Sequence, residues 1–296
     1  MKTFAKASIL AAGLLAAAPA LATEPDQGLY PNGAEGSYVG LLPPSGLYLM
    51  NYLNYYTADK FKASSPALTN GFKANLVADF VRLLWVTPWH PLGAKWGMYV
   101  VPSLAYLDVD SNGRSQSKVG IGDFVIDPIA LSWDLGQVHM GGALDIVAPT
   151  GSYHKGDIAN IGNNIWQFEP LLAFTWLSDS GFETSFRAAY DFYTRNNDFV
   201  AGPYQNGDAF HIDYSVVQHF GGGWDAGLGG YWWQQTTADS GPGAVFGDFE
   251  GRALAIGPEA AFHIEGVRFT AKWQHEFDVA NRPEGDKFWL RAFVSF

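Results

Sequence analysis

The sequence predicts an all-β protein, a single transmembrane antiparallel β-barrel of about 12 strands of the outer-membrane type. Three observations predict this fold class. Apolar and polar residues alternate over long segments, short and long connections take turns along the chain, and the last strand is rich in aromatic residues. Together these are properties of a barrel whose outer face meets lipid.

The alternation is clearest in residues 267–277. Phe269 and Trp273 share one parity, whereas Arg268 and Lys272 share the other. Because successive side chains of a strand point to opposite faces, this segment has one apolar face and one charged face. The same pattern predicts about twelve strands, at 47–57, 72–86, 96–108, 119–134, 137–149, 163–177, 181–193, 208–220, 224–236, 250–264, 266–278 and 286–296.

The predicted strands have the length that a membrane requires. Most exceed the 5–6 residues usual in soluble sheets, and a strand of ~11 residues tilted by ~45° rises about 25 Å, the height of an outer-membrane apolar band. Segment 47–57 carries asparagine on both parities and gives no orientation. In 72–86, Lys73 and Asp79 share the polar parity, which shifts near Phe80 and so predicts a bulge.

The connections between strands alternate in length. Tight turns are predicted at 135–137, 179–181, 221–223 and 265–266, a stretched one at 87–95, and longer polar loops at 58–70, 109–118, 150–162, 194–207, 237–249 and 279–285. Bacterial outer-membrane barrels have short periplasmic turns and longer outer loops. Six tryptophans lie near the short-turn ends, as in the aromatic girdle at a membrane interface: Trp85, Trp89, Trp96, Trp133, Trp176 and Trp224.

The first residues have the features of a secretory signal peptide, predicted at 1–22. Lys2 and Lys6 precede a short apolar run that ends in a small-residue cleavage pattern. The run is too short for the ~20 residues that span a bilayer as a helix. Residues 23–46, rich in glycine and proline, lack strand periodicity and are predicted either to enter the lumen as a plug or to form a periplasmic leader. The barrel is then 47–296.

Charge and cysteine content exclude several classes. A formal net charge of −11 argues against nucleic acid, whose binding needs a basic footprint. The chain has no cysteine, so disulfides and thiolate metal sites are excluded.

We expect Phe296 to close the barrel by bringing the last strand to the first, since closure removes edges that lipid cannot hydrogen-bond. The same aromatic end resembles the signal that outer-membrane assembly machinery reads.

A soluble β-sandwich or lipocalin-like barrel is the alternative fold. In such a protein the apolar face points inward and the charges point outward. The alternation alone does not separate the two arrangements. The rhythm of loop lengths, the positions of the tryptophans and the final phenylalanine favour the membrane barrel.

Several segments resemble one known family. They are "YPNGAEG", "LLPPSGLYLMNYLNYY", "GIGDFVIDP" at 120–128 and, most specifically, "APTGSYHKGDIANIGNNIWQFEP" at 148–170. These segments resemble the SphA-like outer-membrane transporters, also called the meta-pathway phenol degradation proteins. The resemblance covers most of the mature chain. The resemblance implies a barrel that passes small hydrophobic or aromatic molecules through the outer membrane; it brings no catalytic motif.

If the apolar face meets lipid, the other parity lines a charged lumen. The predicted substrate pathway comprises Lys73, Asp79, Asp127, Glu169, Arg187, Asp191, His211, Glu259, His263, Arg268, Lys272 and Glu276. Such a lining fits passive uptake through a polar passage. Alternatively, the charges pair across a narrow lumen and make it rigid. The candidate site is a mid-barrel cluster, which would contain Glu169, Arg187, Glu259, Arg268 and Lys272.

Four prolines conflict with the strand assignments, because proline cannot donate to a ladder. Pro102, Pro128, Pro170 and Pro258 lie near the middle of predicted strands. They indicate either local bulges or a kinked wall with a lateral opening for an apolar solute. An unbroken ladder past these prolines would exclude the opening.

The sequence contains only weak signals for metal binding or catalysis. Residues 108–119 begin like a calcium loop but carry Val119 where a bidentate glutamate is needed, so an exposed acidic hairpin loop is favoured. A lipid hydrolase would need a serine beside an outward histidine such as His275, and no such pattern or G-x-S-x-G occurs. We expect no catalysis and no cofactor. A non-conducting structural or adhesive barrel stays open as an alternative function.

Overall fold

The computed structural model describes residues 31–63 and 66–295. The predicted signal peptide and Phe296 lie outside the described residues. The strands are β1 (Gly46–Lys62), β2 (Lys73–Val86), β3 (Lys95–Val101), β4 (Ser103–Ser111), β5 (Arg114–Ile121), β6 (Phe124–Leu135), β7 (Val138–Ala148), β8 (Gln167–Leu177), β9 (Phe182–Tyr193), β10 (Ala209–His219), β11 (Trp224–Gln235), β12 (Arg252–Ile264), β13 (Val267–Ala280) and β14 (Arg282–Ser295).

Within residues 31–63 and 66–295, helical structure is confined to short connections. One α-helical turn, α1, spans Pro66–Thr69, and 3₁₀ turns lie at Pro91–Gly93 and Gly221–Gly223. Among the residues that the structure describes, no helix has the length and apolar character needed to cross a membrane.

The strands form one closed antiparallel barrel. From β6 to β14 each strand pairs with the next one in the chain. Strand β1 pairs with both β2 and β14, and its Tyr48 lies opposite Ser295. Strands β3 and β4 both pair with β2 and act as one wall strand divided at Pro102. Strands β5 and β6, which pair with β4 and β3, are likewise one wall strand. The barrel therefore has twelve strands, as predicted.

Apolar side chains face outward and ionisable side chains face inward. Phe269 and Phe186 are 43% and 38% exposed, whereas Arg187 and Lys272 are 3% and 4% exposed. A soluble barrel would show the reverse, because its apolar residues would fill the interior. The structure therefore confirms the predicted orientation for these strands, and the alternative soluble fold is wrong.

Strand β2 has the orientation opposite to the prediction. Lys73 and Asp79 share the outer parity with Val77, and Asp79 accepts a hydrogen bond from Asn51 Nδ2 at 2.5 Å. No parity shift occurs at Phe80. The reason is an apolar patch inside this part of the wall, against which Leu76 and Phe80 pack from the inner face. Lys73 and Asp79 therefore lie on the outer face and do not line the predicted pathway.

Two of the predicted outer loops are tight hairpins. Strands β4 and β5 are joined by Asn112 and Gly113, which have φ of 52° and 77°, the left-handed conformation of a type I′ turn. This geometry places Asp108 and Asp110 on strand β4, so the calcium-loop interpretation is wrong. Strands β13 and β14 turn at Asn281 in the same compact way. The other predicted outer loops are longer.

Residues 31–45 lie inside the barrel, and we call them the inner segment. Ala34 and Glu35 are 2% and 5% exposed, and Ala34 packs against Tyr52 and Trp289 of the wall. Strand β1 begins directly after the segment. The interior is therefore occupied by wall side chains together with a piece of the same chain.

Each of the four prolines interrupts pairing on at least one side. The wall strand divides at Pro102, whose carbonyl accepts the Val81 N–H at 3.1 Å. The β6–β7 ladder is interrupted at Pro128, the β8–β9 ladder at Pro170 and the β12–β13 ladder at Pro258. The β7–β8 and β11–β12 ladders run past their prolines unbroken. Since the ladders are not continuous throughout, the lateral opening stays a prediction.

Candidate functional site

The wall holds the backbone of the inner segment with one acidic and one basic side chain. Asp213 accepts hydrogen bonds from the N–H groups of Gly33 and Glu35 at 2.8 and 3.0 Å. Lys272 Nζ donates to the carbonyl oxygens of Gly33, Ala34 and Glu35 at 2.6, 3.0 and 2.7 Å. Buried backbone groups need such partners, and here they come from β10 and β13.

Position 33 requires glycine for two reasons: its backbone conformation and the lack of room for a Cβ atom. Its φ is +84°, which side chains rarely adopt. A Cβ atom there would lie 2.2 Å from Gln274 Oε1. Gly40 is equally confined, since its Cβ would lie 2.7 Å from the backbone of His139 and of Thr175. The glycines of the inner segment thus allow its backbone to approach the wall.

Glu35 is the charged centre of the inner segment. Its carboxylate lies 2.7 Å from Arg82 and 3.5 Å from Arg291, and it accepts a hydrogen bond from Tyr52 Oη at 3.2 Å. Burial alone would raise the pKa of Glu35, but the guanidinium groups of Arg82 and Arg291 overcome burial and lower it to about 2. Glu35 is therefore an anion throughout the physiological pH range.

A second contact lies nearer the short-turn end of the barrel. The Tyr38 ring stacks on His219 at a centroid distance of 4.9 Å, and the Tyr38 N–H donates to Glu183 at 2.6 Å. His219 lies between Glu183 and Asp225, 2.7 Å from each. Tyr38 adopts this position with φ of 65°. This left-handed backbone conformation is unfavourable for a residue other than glycine, so the contact with the wall must offset that strain.

The middle of the barrel contains a separate ionic network. Arg187 pairs with Asp145 at 2.8 Å and also with Glu169. The Gln167 amide donates to Glu169 at 2.9 Å and to Asp191 at 2.8 Å. Buried charges persist only when they are paired in this way, so these residues connect the neighbouring strands β7, β8 and β9 on the inner face of the wall.

The predicted pathway residues occupy several environments. Eight are buried on the inner face: Asp127, Glu169, Arg187, Asp191, His211, Glu259, Lys272 and Glu276. Arg268 and His263 lie at the short-turn end, where both contact Asp225. The five residues predicted as one cluster are thus divided. Glu169 and Arg187 pair with each other, and Arg268 pairs with Asp225. Lys272 binds the inner segment and lies opposite Glu259 in the β12–β13 ladder.

A cavity of about 680 Å³ lies between the inner segment and the wall. Its apolar lining includes Leu42 and Pro44 of the inner segment and Leu84, Leu131 and Phe293 of the wall. The polar lining includes Glu35, Arg82, Lys95, Arg268 and Arg291. Such a volume, with largely apolar walls and a few charged groups, is typical of a site for a small organic molecule.

The profile of a protein family described as "Putative MetA-pathway of phenol degradation" matches residues 58–292. The chain belongs to this family. The resemblance inferred from the sequence segments is therefore confirmed. None of the curated proteins matches the chain.

This phenol degradation family member has the fold of solved outer-membrane barrels. An outer membrane channel from Pseudomonas putida F1 is 17% identical, with a TM-score of 0.79 over 88% of this chain and 99% of that chain. The β domain of the Bordetella autotransporter BrkA is 11% identical, with a TM-score of 0.52 over 85% and 100%. The NalP translocator domain from Neisseria meningitidis is 9% identical, with a TM-score of 0.51 over 86% and 90%. The predicted location in the bacterial outer membrane is confirmed.

Several site residues of this family member were not identified from its sequence. Glu35, Tyr38 and Arg82 were missed, although "NGAEGS" carried the signal of a lone acid among turn formers. The inward direction of Arg82 would follow from the parity of β2 once Phe80 is known to face inward, because residues two apart on a strand share a face. The contacts of Asp213 with Gly33 and Glu35 could not be predicted, because they depend on where the inner segment lies.

Proposed function

We propose that this protein is an outer-membrane channel for small apolar or aromatic compounds, with residues 23–46 acting as a plug and 47–296 as the channel wall. The observation that carries the proposal is a cavity of about 680 Å³ between the inner segment and the wall. Catalysis and a cofactor are not part of this function. Outer-membrane lipid surrounds the wall, and assembly machinery would recognise the last strand through Phe296.

The interior chemistry supports an apolar cargo. Several described charged groups at mid-barrel form direct pairs, such as Arg187 with Asp145 and with Glu169, instead of lining a wide water-filled pore. Breaking such pairs to admit a hydrated ion is costly. The cavity beside them presents Leu84, Leu131 and Phe293. An apolar solute gains by leaving water for this lining.

A sideways route through the wall completes the proposal. The cavity reaches Ala130 on β6 and Gly141, Gly142 and Ala143 on β7, which is where the ladder is interrupted beside Pro128. Small side chains and missing ladder bonds make this part of the wall the easiest to separate. An apolar solute would pass between β6 and β7 into or out of the lipid, without crossing the paired charges.

A reversible crosslink tests the plug. A Cβ atom on Gly36 would lie 3.6 Å from the Ser215 Cβ, within the range for a disulfide. Since the natural chain has no cysteine, the double variant Gly36→Cys/Ser215→Cys would contain one defined pair. In cells that lack the native protein, we expect the oxidised variant to take up radiolabelled toluene slowly and the reduced variant to match wild type.

The single variant Ser215→Cys is the matched control, because it has no partner for the disulfide. Equal uptake by the oxidised and reduced double variant would show that the inner segment need not move. Uptake by wild-type cells that equals that of cells without the protein would contradict the channel itself and favour a structural barrel.

A further inference from the structure

The inner segment places one carboxylate in a site built from two guanidinium groups and a phenol. Arg82 approaches Glu35 at 2.7 Å and Arg291 at 3.5 Å, while Tyr52 Oη donates at 3.2 Å. The side chains of Arg82 and Arg291 are 14% and 10% exposed, and Tyr52 is 3% exposed. Guanidinium groups are well suited to carboxylates because they offer several donors in a fixed plane.

The two arginines are held in place by aromatic rings as well as by Glu35. The Arg82 guanidinium lies 4.5 Å from the centroid of the Tyr99 ring and 5.2 Å from that of Tyr52. The Arg291 guanidinium lies 5.0 Å from the centroid of Tyr52. Stacking on these rings would keep the N–H groups of both arginines directed at the position of the Glu35 carboxylate after Glu35 had moved away. The site is thus part of the wall and does not depend on the inner segment for its shape.

This anion site opens directly onto the apolar cavity. Glu35, Arg82 and Arg291 all line the cavity, together with Lys95, whose Nζ donates to the Leu42 carbonyl at 2.8 Å. A molecule in the cavity therefore meets apolar surface on most sides and guanidinium groups at one end. The chemistry that matches both features is a carboxylate joined to an apolar body.

We propose that Arg82, Arg291 and Tyr52 form a binding subsite for the carboxylate of small apolar organic acids, and that Glu35 occupies this subsite until such an acid replaces it. The inference rests on the proposed channel function and adds a preferred substrate class to it. Aromatic monocarboxylates such as benzoate fit the cavity in size and charge. Neutral aromatic compounds would enter the cavity without using the subsite.

The exchange of one carboxylate for another keeps the charges balanced. A neutral solute that displaced Glu35 would leave the guanidinium groups buried without this partner, which is costly. An incoming carboxylate takes over the same hydrogen bonds while Glu35 withdraws to water. Binding of an organic acid is then linked to release of one anchor of the inner segment, so the cargo promotes opening of its own path.

Ligand binding to the purified barrel in detergent micelles tests the subsite. Titration calorimetry would compare benzoate with benzyl alcohol, which has the ring without the charge, and with acetate, which has the charge without the ring. We expect wild type to bind benzoate at least about tenfold more tightly than either comparison compound. Arg291→Gln should lose at least about tenfold in benzoate affinity and leave benzyl alcohol unchanged.

Removing the competing carboxylate gives the diagnostic result. Glu35→Gln keeps the shape of the side chain but removes the competing negative charge beside the guanidinium groups, so benzoate should bind at least about tenfold more tightly than to wild type. The matched control is Glu265→Gln, since Glu265 lines the same cavity at the turn between β12 and β13. Its benzoate affinity should equal that of wild type.

The outcomes separate this inference from the channel function. Equal affinity for benzoate and benzyl alcohol, or an unchanged benzoate affinity in Glu35→Gln, would overturn the subsite even if toluene uptake proceeds. Benzoate binding with the expected pattern but without any solute uptake would support the subsite and contradict the channel. If Arg291→Gln does not fold, the contrast between tighter benzoate binding in Glu35→Gln and unchanged binding in Glu265→Gln still decides the question.

Discussion

The Lys272 ammonium donates to the Gly33 carbonyl oxygen at 2.6 Å, which joins the middle of β13 to the inner segment. The two residues are far apart in sequence, and the lysine also reaches the next two carbonyls. Hydrogen bonds from a charged donor contribute about 1.5–3 kcal/mol each. Lys272 is therefore a principal anchor of the inner segment.

Replacing Lys272 with methionine should release this anchor. The variant Lys272→Met keeps a long side chain but removes its three donors, so the inner segment should leave the lumen more often. We expect more frequent and larger openings in single-channel recordings from planar bilayers. Lys73→Met, at an exposed position on the outer face, is the control and should conduct as wild type does. Identical recordings from both variants would show that Lys272 does not hold the lumen closed.

Arg187 should be the most costly basic residue to remove. It is 3% exposed and pairs with both Asp145 and Glu169. The variant Arg187→Met would leave two carboxylates buried without it, and breaking a buried pair costs about 3–5 kcal/mol. Urea unfolding in detergent would measure this loss. Arg252→Met, whose pair with Asp278 is exposed, should cost less than about 1 kcal/mol, and a similar loss in both variants would contradict the buried network.

Acid should weaken the contact between the inner segment and the wall. The pKa of Glu35 in the folded protein is about 2, below its ordinary value of 4.5. A lowered pKa stabilises the folded form at pH values above the ordinary value, and this contribution is lost as pH falls from about 4.5 toward about 2. Conductance of wild type should therefore rise over this pH window.

The Glu35→Gln variant isolates that titration, since its side chain stays neutral at every pH. We expect its conductance to be high at neutral pH and to change less on acidification than that of wild type. Glu284→Gln, at a salt bridge with Lys62 on the wall, should retain the wild-type response. An acid response in Glu35→Gln as large as that of wild type would assign the effect to other carboxylates.

The orientation of most strands could be predicted from the sequence, whereas the content of the lumen could not. Period two places Phe186 outward and Arg187 inward because adjacent residues on a strand must diverge. The same reasoning failed in β2, where Phe80 faces inward beside Ala34 and Tyr52. Hydrophobicity identifies the lipid face only where the interior is polar, and here part of the interior is apolar.

The pairing of Glu35 with Arg82 also lay beyond the sequence. Glu35 belongs to a segment without periodicity, so its position depends on glycine conformations such as that of Gly33 and on wall contacts such as Asp213. Arg82 lies on the strand whose parity was misread. The candidate cluster was predicted from parity alone, which gives the face of a residue but neither its height in the barrel nor its partner.

The apolar outer face gives the last prediction. Leu172 on β8 is 68% exposed and Leu92, in the Pro91–Gly93 turn, is 86% exposed. In a soluble protein, arginine would be tolerated at both positions. In an outer-membrane barrel, Leu172→Arg places a charge in hydrocarbon and should cost about 2–4 kcal/mol, while Leu92→Arg lies at the turn and should cost little. Unfolding from lipid vesicles would measure both, and equal stability of the two variants would contradict the assignment of this face to lipid.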